Sequence, residues 1–378
     1  MRWPRARVDW VLEHEEAIRQ VAKDPLLDLW WAEADGGQKP FQFLACCLEW
    51  ARYLESGEDP NFVSRLPVSM DGACNGIQHF SAMLRDPIGA RATNLSADPE
   101  QHDVYSEVAQ AVNDLIRADL HGSSAIDREM AGIWLKFGVD RKVVKRPVMT
   151  TPYGATAIGM KEMVLEDTIE KHPEAYWGNH PLQAAGWLAG KIDKAIGSKL
   201  VAARQAMTFL QELASAMAKE DLGVAWVTPA GFPVVQYIHN RRSFLIDTTL
   251  LGRIKLRYDV DDKKLDRTRQ RSAVAPNFVH SYDAAHLQLS VVAMEKRLGR
   301  SVSWAVVHDS FGTHAGDAAT LGKVLREEFV RMYAEASPLE DMLESARRCV
   351  PIGTELPSVP SPGSFDLNEV LRAEFAFA

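Results

Sequence analysis

Cysteine is scarce in this chain of 378 residues: Cys46, Cys47, Cys74 and Cys349 are the whole supply, with no CxxC spacing. That pattern excludes a disulfide framework and a structural zinc knot, and it suits a reducing compartment. Long apolar runs are missing as well, and nothing approaches the roughly 20 consecutive apolar residues of a membrane span. The opening stretch, MRWPRARVDWVLEHEE, carries arginines but is followed at once by acids, without the apolar core of a secretory signal. Internal repeats and low-complexity tracts are absent. A cationic excess is lacking too, since 43 Lys and Arg stand against 51 Asp and Glu, a formal charge of −8. The expectation is a soluble cytoplasmic protein that is no simple basic coat for nucleic acid.

The charge is distributed unevenly. Residues 1–60 hold seven basic and twelve acidic residues, whereas 241–271 hold ten basic and five acidic. One acidic flank and one cationic surface follow from this asymmetry. The first 60 residues read as helical and aromatic-rich. A strand, LPVSM, then ends at Asp71, and GIQHFSAMLRD reads as a helix stopping before Pro87. Val104, Val108, Ala111, Val112 and Leu115 share one face of a helix within 101–120. A short helix closes at Gly138, and Asp140 can cap another that begins at Arg141. Pro147 and Pro152 predict a kink or an early end there. Residues 180–220 predict a long helix or a broken pair, with Gly186, Gly190 and Gly197 as weak points. VAWVTPAGFPVVQYIHN switches to a period of two and reads as strand–turn–strand, and RIKLRYDVDD is strand-like. Helix returns over 282–298 and 317–346, and a Pro/Gly/Ser connector leads to a final helix. Strands at both ends of a largely helical middle predict an α+β fold.

Two aspartates stand where strands leave the core. Asp71 follows LPVSM, and Asp309 follows SWAVVH within SWAVVHDSFGTHA. A bare carboxylate at such a place needs water or a cation. Two of them at one rim, with few other acids, suit Mg²⁺, which prefers a couple of carboxylates plus substrate phosphates. Two such ions about 3.5–4 Å apart can activate an attacking oxygen and stabilise a leaving one. The plain alternative is that each Asp only ends a strand or caps a turn; the two lie 238 residues apart. In DRKVVKRPVMTTPYGAT, Arg141 and Lys145 are four apart and share a helix face, with Tyr153 eight residues beyond Lys145. Cations so aligned suit a triphosphate, and a lysine near the leaving pyrophosphate can give up a proton. A solvated basic helix beside a core tyrosine would read the same.

DGACNGIQHFSAMLRD, DRKVVKRPVMTTPYGAT and VHDSFGTHA resemble, in order and spacing, the three polymerase motifs of the single-subunit DNA-directed RNA polymerases of bacteriophages and mitochondria. WVTPAGFPVVQ, APNFVHSYD and the terminal FAFA resemble the phage members, and the resemblance covers essentially the whole chain. It implies a right-hand polymerase fold: a palm with a small antiparallel sheet in 1–99 and 281–378, and largely helical fingers in 100–280. It implies two Mg²⁺ ions on Asp71 and Asp309, assisted by the Gly72 carbonyl, with Lys145 as the catalytic lysine. Arg141 would hold the triphosphate, and Arg146 and Gly154 join the substrate-binding set. Tyr153 would select ribose, His280 would approach the sugar hydroxyl, and His308 would support the primer end. The C-terminal carboxylate would lie near the site.

The same resemblance makes the basic segment a promoter-reading hairpin at about 232–262, with Arg241, Arg242, Arg253, Lys255 and Arg257 touching DNA. Alternation along RIKLRYD puts cations on one strand face and Ile254, Leu256 and Tyr258 on the other. The expected partners are DNA template and promoter, nascent RNA and ribonucleoside triphosphates. Members of the family are much longer, so the expectation is a chain lacking the N-terminal domain and thumb, weak alone and needing a separate N-terminal chain. Two rivals stay open. One is a DNA polymerase of the family sharing the Arg-x₃-Lys-x₇-Tyr-Gly helix, although DGACNG offers room for a ribose hydroxyl. The other is an inactive relic that only binds nucleic acid.

Overall fold

Apolar residues at every third or fourth position make three helices at the start of the described chain: α1 (Glu15–Lys23), α2 (Trp30–Glu33) and α3 (Pro40–Glu55). Ile18 and Val21 of α1, Trp31 of α2, and Phe43, Cys47 and Ala51 of α3 close into one buried cluster. The computed structural model describes residues 13–33, 39–173, 176–178, 180–249, 254–334 and 336–377. The short strand β1 (Pro67–Asp71) follows, ending on the first of the two aspartates.

The helices α4 (Asn75–Met83), α5 (Pro87–Ala92), α6 (Val104–Asp119) and α7 (Ala125–Phe137) come next. Aspartate or serine caps start three of them: Asp86 accepts from Ile88 N and Gly89 N, Asp103 from Tyr105 N, and Ser124 from Asp127 N. In α8 (Arg141–Thr150) the expected Asp140 cap is present, its Oδ1 accepting from Lys142 N at 2.9 Å. Of the kink or early end expected at Pro147 and Pro152, an end at Pro147 does not occur. The helix carries buried Pro147 and runs to Thr150, then tightens into a 3-10 turn, Thr151–Tyr153. The hydroxyls of Thr150 and Thr151 donate to the carbonyls of Arg146 and Pro147 at 2.8 Å each, supplying bonds to the last turn. Then come α9 (Ala157–Val164) and a π turn, Leu165–Ile169.

The stretch over 180–220 is a broken pair, α10 (Pro181–Lys199) and α11 (Val201–Lys219), but the break falls at Leu200 and not at a glycine. Gly186, Gly190 and Gly197 stay helical because seven Ala, Leu and Ile side chains of α10 are buried, which outweighs the helix cost of glycine. Gly197 also makes room for Arg204, whose guanidinium carbon would lie 3.3 Å from a β-carbon there.

The expected strand–turn–strand is the hairpin β2 (Val224–Val227) and β3 (Pro233–Gln236), and β4 (His239–Thr248) pairs with β5 (Ile254–Leu265). The next helix, α12 (Arg267–Leu298), starts fifteen residues before the predicted 282 and passes through Pro276. The strands β6 (Ala305–Val307) and β7 (Ser310–His314) follow, then α13 (Ala315–Ala334) and α14 (Pro338–Arg347), so the helical stretch expected over 317–346 consists of two helices. Pro338 at the head of α14 is where a new helix can begin. The final predicted helix is instead a 3-10 segment, Leu367–Arg372, capped by Asp366.

The described residues form two compact units. One holds the residues up to 71 together with 292–324; the other holds 72–291 and 325–377. The first unit contains a three-stranded antiparallel sheet in the order β1-β7-β6 and the helical cluster of α1 to α3. The second unit is mainly helical. Its largest buried side chains include Trp134 and Trp177, whose rings lie 4.8 Å apart, and Trp134 Nε1 donates to Ala184 O at 3.1 Å. Mixed helices and small antiparallel sheets agree with the predicted α+β class.

Candidate active site

In the first unit, strand register brings the two distant aspartates to one end of one sheet. Asp71, the last residue of β1, lies opposite Ser310, the first residue of β7. Val307 of β6 also pairs with Ser310, so His308 and Asp309 are the whole two-residue loop of the β6–β7 hairpin. Asp309 is thus the chain neighbour of the residue facing Asp71. His308 takes φ 54°, the left-handed conformation that the first position of such a tight loop demands. Asp71 is exposed and Asp309 half-buried.

Close packing of the sheet depends on Gly312. A β-carbon there would fall 2.6 Å from Ala305 O and 3.1 Å from Ser69 Oγ, atoms of the two flanking strands. Among the described residues no three His, Cys, Asp or Glu side chains cluster as a metal cage. Two carboxylates are a donor set that suits Mg²⁺, whose other positions go to water and phosphate oxygens.

The second unit carries the cationic helix. Val143, Val144, Pro147 and Val148 bury one face of α8, leaving Arg141 and Lys145 exposed on the other. Lys145 has no ion-pair partner among the described residues. Arg146 does: its Nη1 reaches Glu166 at 3.0 Å and Asp167 at 3.1 Å, both within the π turn. Those hydrogen bonds hold the Arg146 guanidinium above its ordinary pKa. Arg141 Nε donates to Asp103 Oδ2 at 2.7 Å, and its guanidinium carbon stands 5.0 Å from the centre of the Tyr105 ring. A pocket of about 350 Å³ opens here, lined by Ala73, Asn94, Gln101, His102, Asp103, Val104, Tyr105 and Arg141. Neither Asp103 nor Tyr105 is evident from sequence. Asp103 could have been found as the cap before the Val104 periodicity.

Tyr153 stacks on His280, with ring centres 4.3 Å apart and an interplanar angle of 26°. Gly154 sits at φ 84°, turning the chain after the 3-10 segment. Helix α4 lies against this turn at Gly76, where a β-carbon would meet Pro152 Cβ at 2.6 Å and Tyr153 Cζ at 3.3 Å. Gly72 is bridged to Phe377, and Gln78 Nε2 donates to Thr93 O and Ala376 O at 2.9 Å each. The FAFA tail therefore packs on the segment after Asp71, although its last residue, Ala378, lies outside the described residues. Behind it, His79 Nδ1 and the Tyr333 hydroxyl are 2.6 Å apart. Burial lowers the His286 pKa to about 4 and holds that of His79 well below its ordinary value, so both rings stay neutral.

The basic segment is a two-stranded ribbon. Phe244 lies opposite Tyr258 and Ile246 opposite Leu256, an apolar face that stays exposed. The cations of the ribbon are partly matched internally. Arg241 pairs with Asp261 at 3.2 Å, Arg242 with Asp262 at 3.1 Å and Arg257 with Asp259 at 3.4 Å. Lys255 faces Asp247 in the register, and Arg253 lies outside the described residues. No described helix is long and apolar enough to cross a membrane.

A sequence profile of the DNA-dependent RNA polymerase family matches residues 4–351. T7 RNA polymerase of Escherichia phage T7 is 37% identical over 98% of this chain and 46% of its own length. The DNA-directed RNA polymerase of Enterobacteria phage T3 is 36% identical with the same coverage. The mitochondrial DNA-directed RNA polymerase 1 of Nicotiana sylvestris is 38% identical over 98% of this chain and 36% of its own. The chain thus spans less than half the length of these relatives.

Proposed function

Since the chain belongs to the single-subunit DNA-dependent RNA polymerase family, of the phage and organellar type, we propose that it carries the nucleotidyl-transfer centre for DNA-templated RNA synthesis. The observation that carries this reading is the antiparallel register that sets Asp71 opposite Ser310, beside Asp309, at one end of a sheet. In the proposed reaction the 3′ oxygen of the growing RNA attacks the α-phosphorus of a ribonucleoside triphosphate. The new P–O bond forms as the α–β bridge breaks, and pyrophosphate leaves.

Asp71 and Asp309 would hold two Mg²⁺ ions with help from the Gly72 carbonyl. When bound, the ions would make the 3′ hydroxyl more acidic and offset charge on the leaving oxygen. Lys145, exposed and without an ion-pair partner among the described residues, would deliver a proton to the departing pyrophosphate. Arg141 would hold the triphosphate, and the stacked Tyr153 and His280 would meet the sugar and favour ribose. His308, held in the tight loop beside Asp309, would support the primer end. Arg146 is engaged with Glu166 and Asp167, so its place in the substrate set requires release of those ion pairs. The ribbon cations Arg241, Arg242, Lys255 and Arg257 would exchange their aspartates for DNA phosphates and base edges.

Template, nascent RNA and a separate N-terminal chain are the proposed partners, and phage transcription in a host cytoplasm is the proposed setting. The test is primer extension on a short RNA–DNA duplex by the chain, with and without the N-terminal part of a phage relative. Asp309→Asn should lower extension at least about a thousandfold, the scale set by removing several kcal/mol of transition-state stabilisation. Its melting midpoint should stay close to that of the unsubstituted chain. Extension by the Asn variant at an undiminished rate would remove the aspartate pair from the chemistry. An equal rate with deoxynucleotides would point instead to a DNA polymerase.

A further inference from the structure

Arginine presents five N–H donors in a planar fork, and which edge faces a ligand depends on what occupies the rest. On Arg141 the Nε edge is taken by Asp103 Oδ2 at 2.7 Å, and one face of the guanidinium lies over the Tyr105 ring. Its two Nη groups have no hydrogen-bond partner among the described residues. Asp103 is itself fixed from three sides. Besides Arg141, Ser106 Oγ donates to Oδ2 at 2.6 Å and Tyr105 N donates to Oδ1 at 3.2 Å. Burial opposes ionisation of this carboxyl, but the hydrogen bonds from Ser106 and Arg141 prevail and hold its pKa below the ordinary carboxylate range. Tyr105 is buried, and its hydroxyl donates to Ala73 O at 3.3 Å, so the ring under the guanidinium is anchored at its far end.

We propose that Asp103 is a positioning residue for nucleotide binding: it occupies the Nε edge of Arg141 and so presents the Nη edge to the phosphates of the incoming triphosphate. The inference rests on the reading of Arg141 as a triphosphate ligand. Asp103 touches no phosphate itself, and as a bare charge it would repel one. Orientation and charge therefore oppose each other, which makes the two separable by substitution. Asn keeps an acceptor oxygen for Nε and drops the charge. Ser keeps the helix cap of α6 but is too short to reach Arg141.

The experiment measures binding of ATP and of tripolyphosphate to the full chain by calorimetry, together with the melting midpoint of each variant. Asp103→Ser should weaken binding about 3- to 10-fold, the cost of immobilising a freed arginine, with its melting midpoint little changed. Asp103→Asn should bind at least as tightly as the unsubstituted chain. Adding Asp103→Ser to Arg141→Ala should produce no further loss, because the two groups act through one contact. Unchanged binding in Asp103→Ser, while Arg141→Ala loses it, overturns the positioning role alone. Weakening by Asn equal to that by Ser overturns it too. Unchanged binding in Arg141→Ala removes the underlying reading of Arg141.

Discussion

Single residues decide how the site side chains are held. Gly76 has no side chain where α4 meets the Pro152–Tyr153 turn, and a methyl would fall 2.6 Å from the rigid proline ring. Gly76→Ala should destabilise the fold by about 1–3 kcal/mol through overpacking. It should also disturb the Tyr153–His280 stack and, if that pair meets the sugar as proposed, lower the preference for ribonucleotides over deoxynucleotides in primer extension. Denaturant unfolding and the ratio of the two extension rates check both parts. His286 gives a pH signature. Its folded pKa of about 4 lies below the ordinary 6.5, so the unfolded chain binds a proton more readily. The stability from the neutral ring is complete above pH about 6.5 and is lost as pH falls through that value toward 4. Roughly 3 kcal/mol is at stake between these two values. His286→Gln should flatten the fall in unfolding free energy between pH 6.5 and 4, and an unchanged slope would refute this source.

At the scale of elements, the three-stranded sheet is the device that brings residues 238 apart in sequence together. Its strands have only three to five residues each, so their spacing depends on close contact at the centre. Gly312→Ala would drive a methyl against Ala305 O and Ser69 Oγ. The expected outcome is a loss of about 1–3 kcal/mol and, if the aspartate pair carries the proposed chemistry, a fall in primer extension far larger than that of a surface substitution of equal thermal effect. The β4–β5 ribbon shows what sequence counting leaves open. The excess of five basic residues over 241–271 already subtracts the aspartates, so ion pairing leaves it unchanged. Strand alternation predicted the two faces, and tertiary pairing decided which cations face an aspartate, namely Arg241, Arg242 and Arg257. In α8 the helix continues through Pro147, where buried Val143, Val144 and Val148 and the threonine hydroxyls offset one lost backbone bond, and it ends at Thr150 ahead of Pro152.

For the whole molecule, a net charge of −8 makes any DNA affinity dependent on local cations. If the ribbon meets DNA as proposed, replacing Arg241 and Arg242 together with alanine should reduce the slope of log affinity against log salt by about two. Fluorescence anisotropy with a duplex across a salt series measures this, and an unaltered slope would place the contact elsewhere. What the sequence determined by itself is the family and the order of its motifs, because those depend on residue types at short fixed spacings: Asp71 after a strand, Arg141 four before Lys145, Asp309 in a tight loop. The start of α8 was legible for the same reason, since the Asp140 cap acts within three residues, whereas α12 begins fifteen residues before the predicted 282. Tertiary structure alone decided the rest. Strand register set Asp71 opposite Ser310, and folding brought Asp103 and Tyr105 against Arg141 and spent Arg146 on Glu166 and Asp167. Such contacts join residues 20 to more than 200 positions apart, and a local pattern carries no record of which of them the packed core will press together.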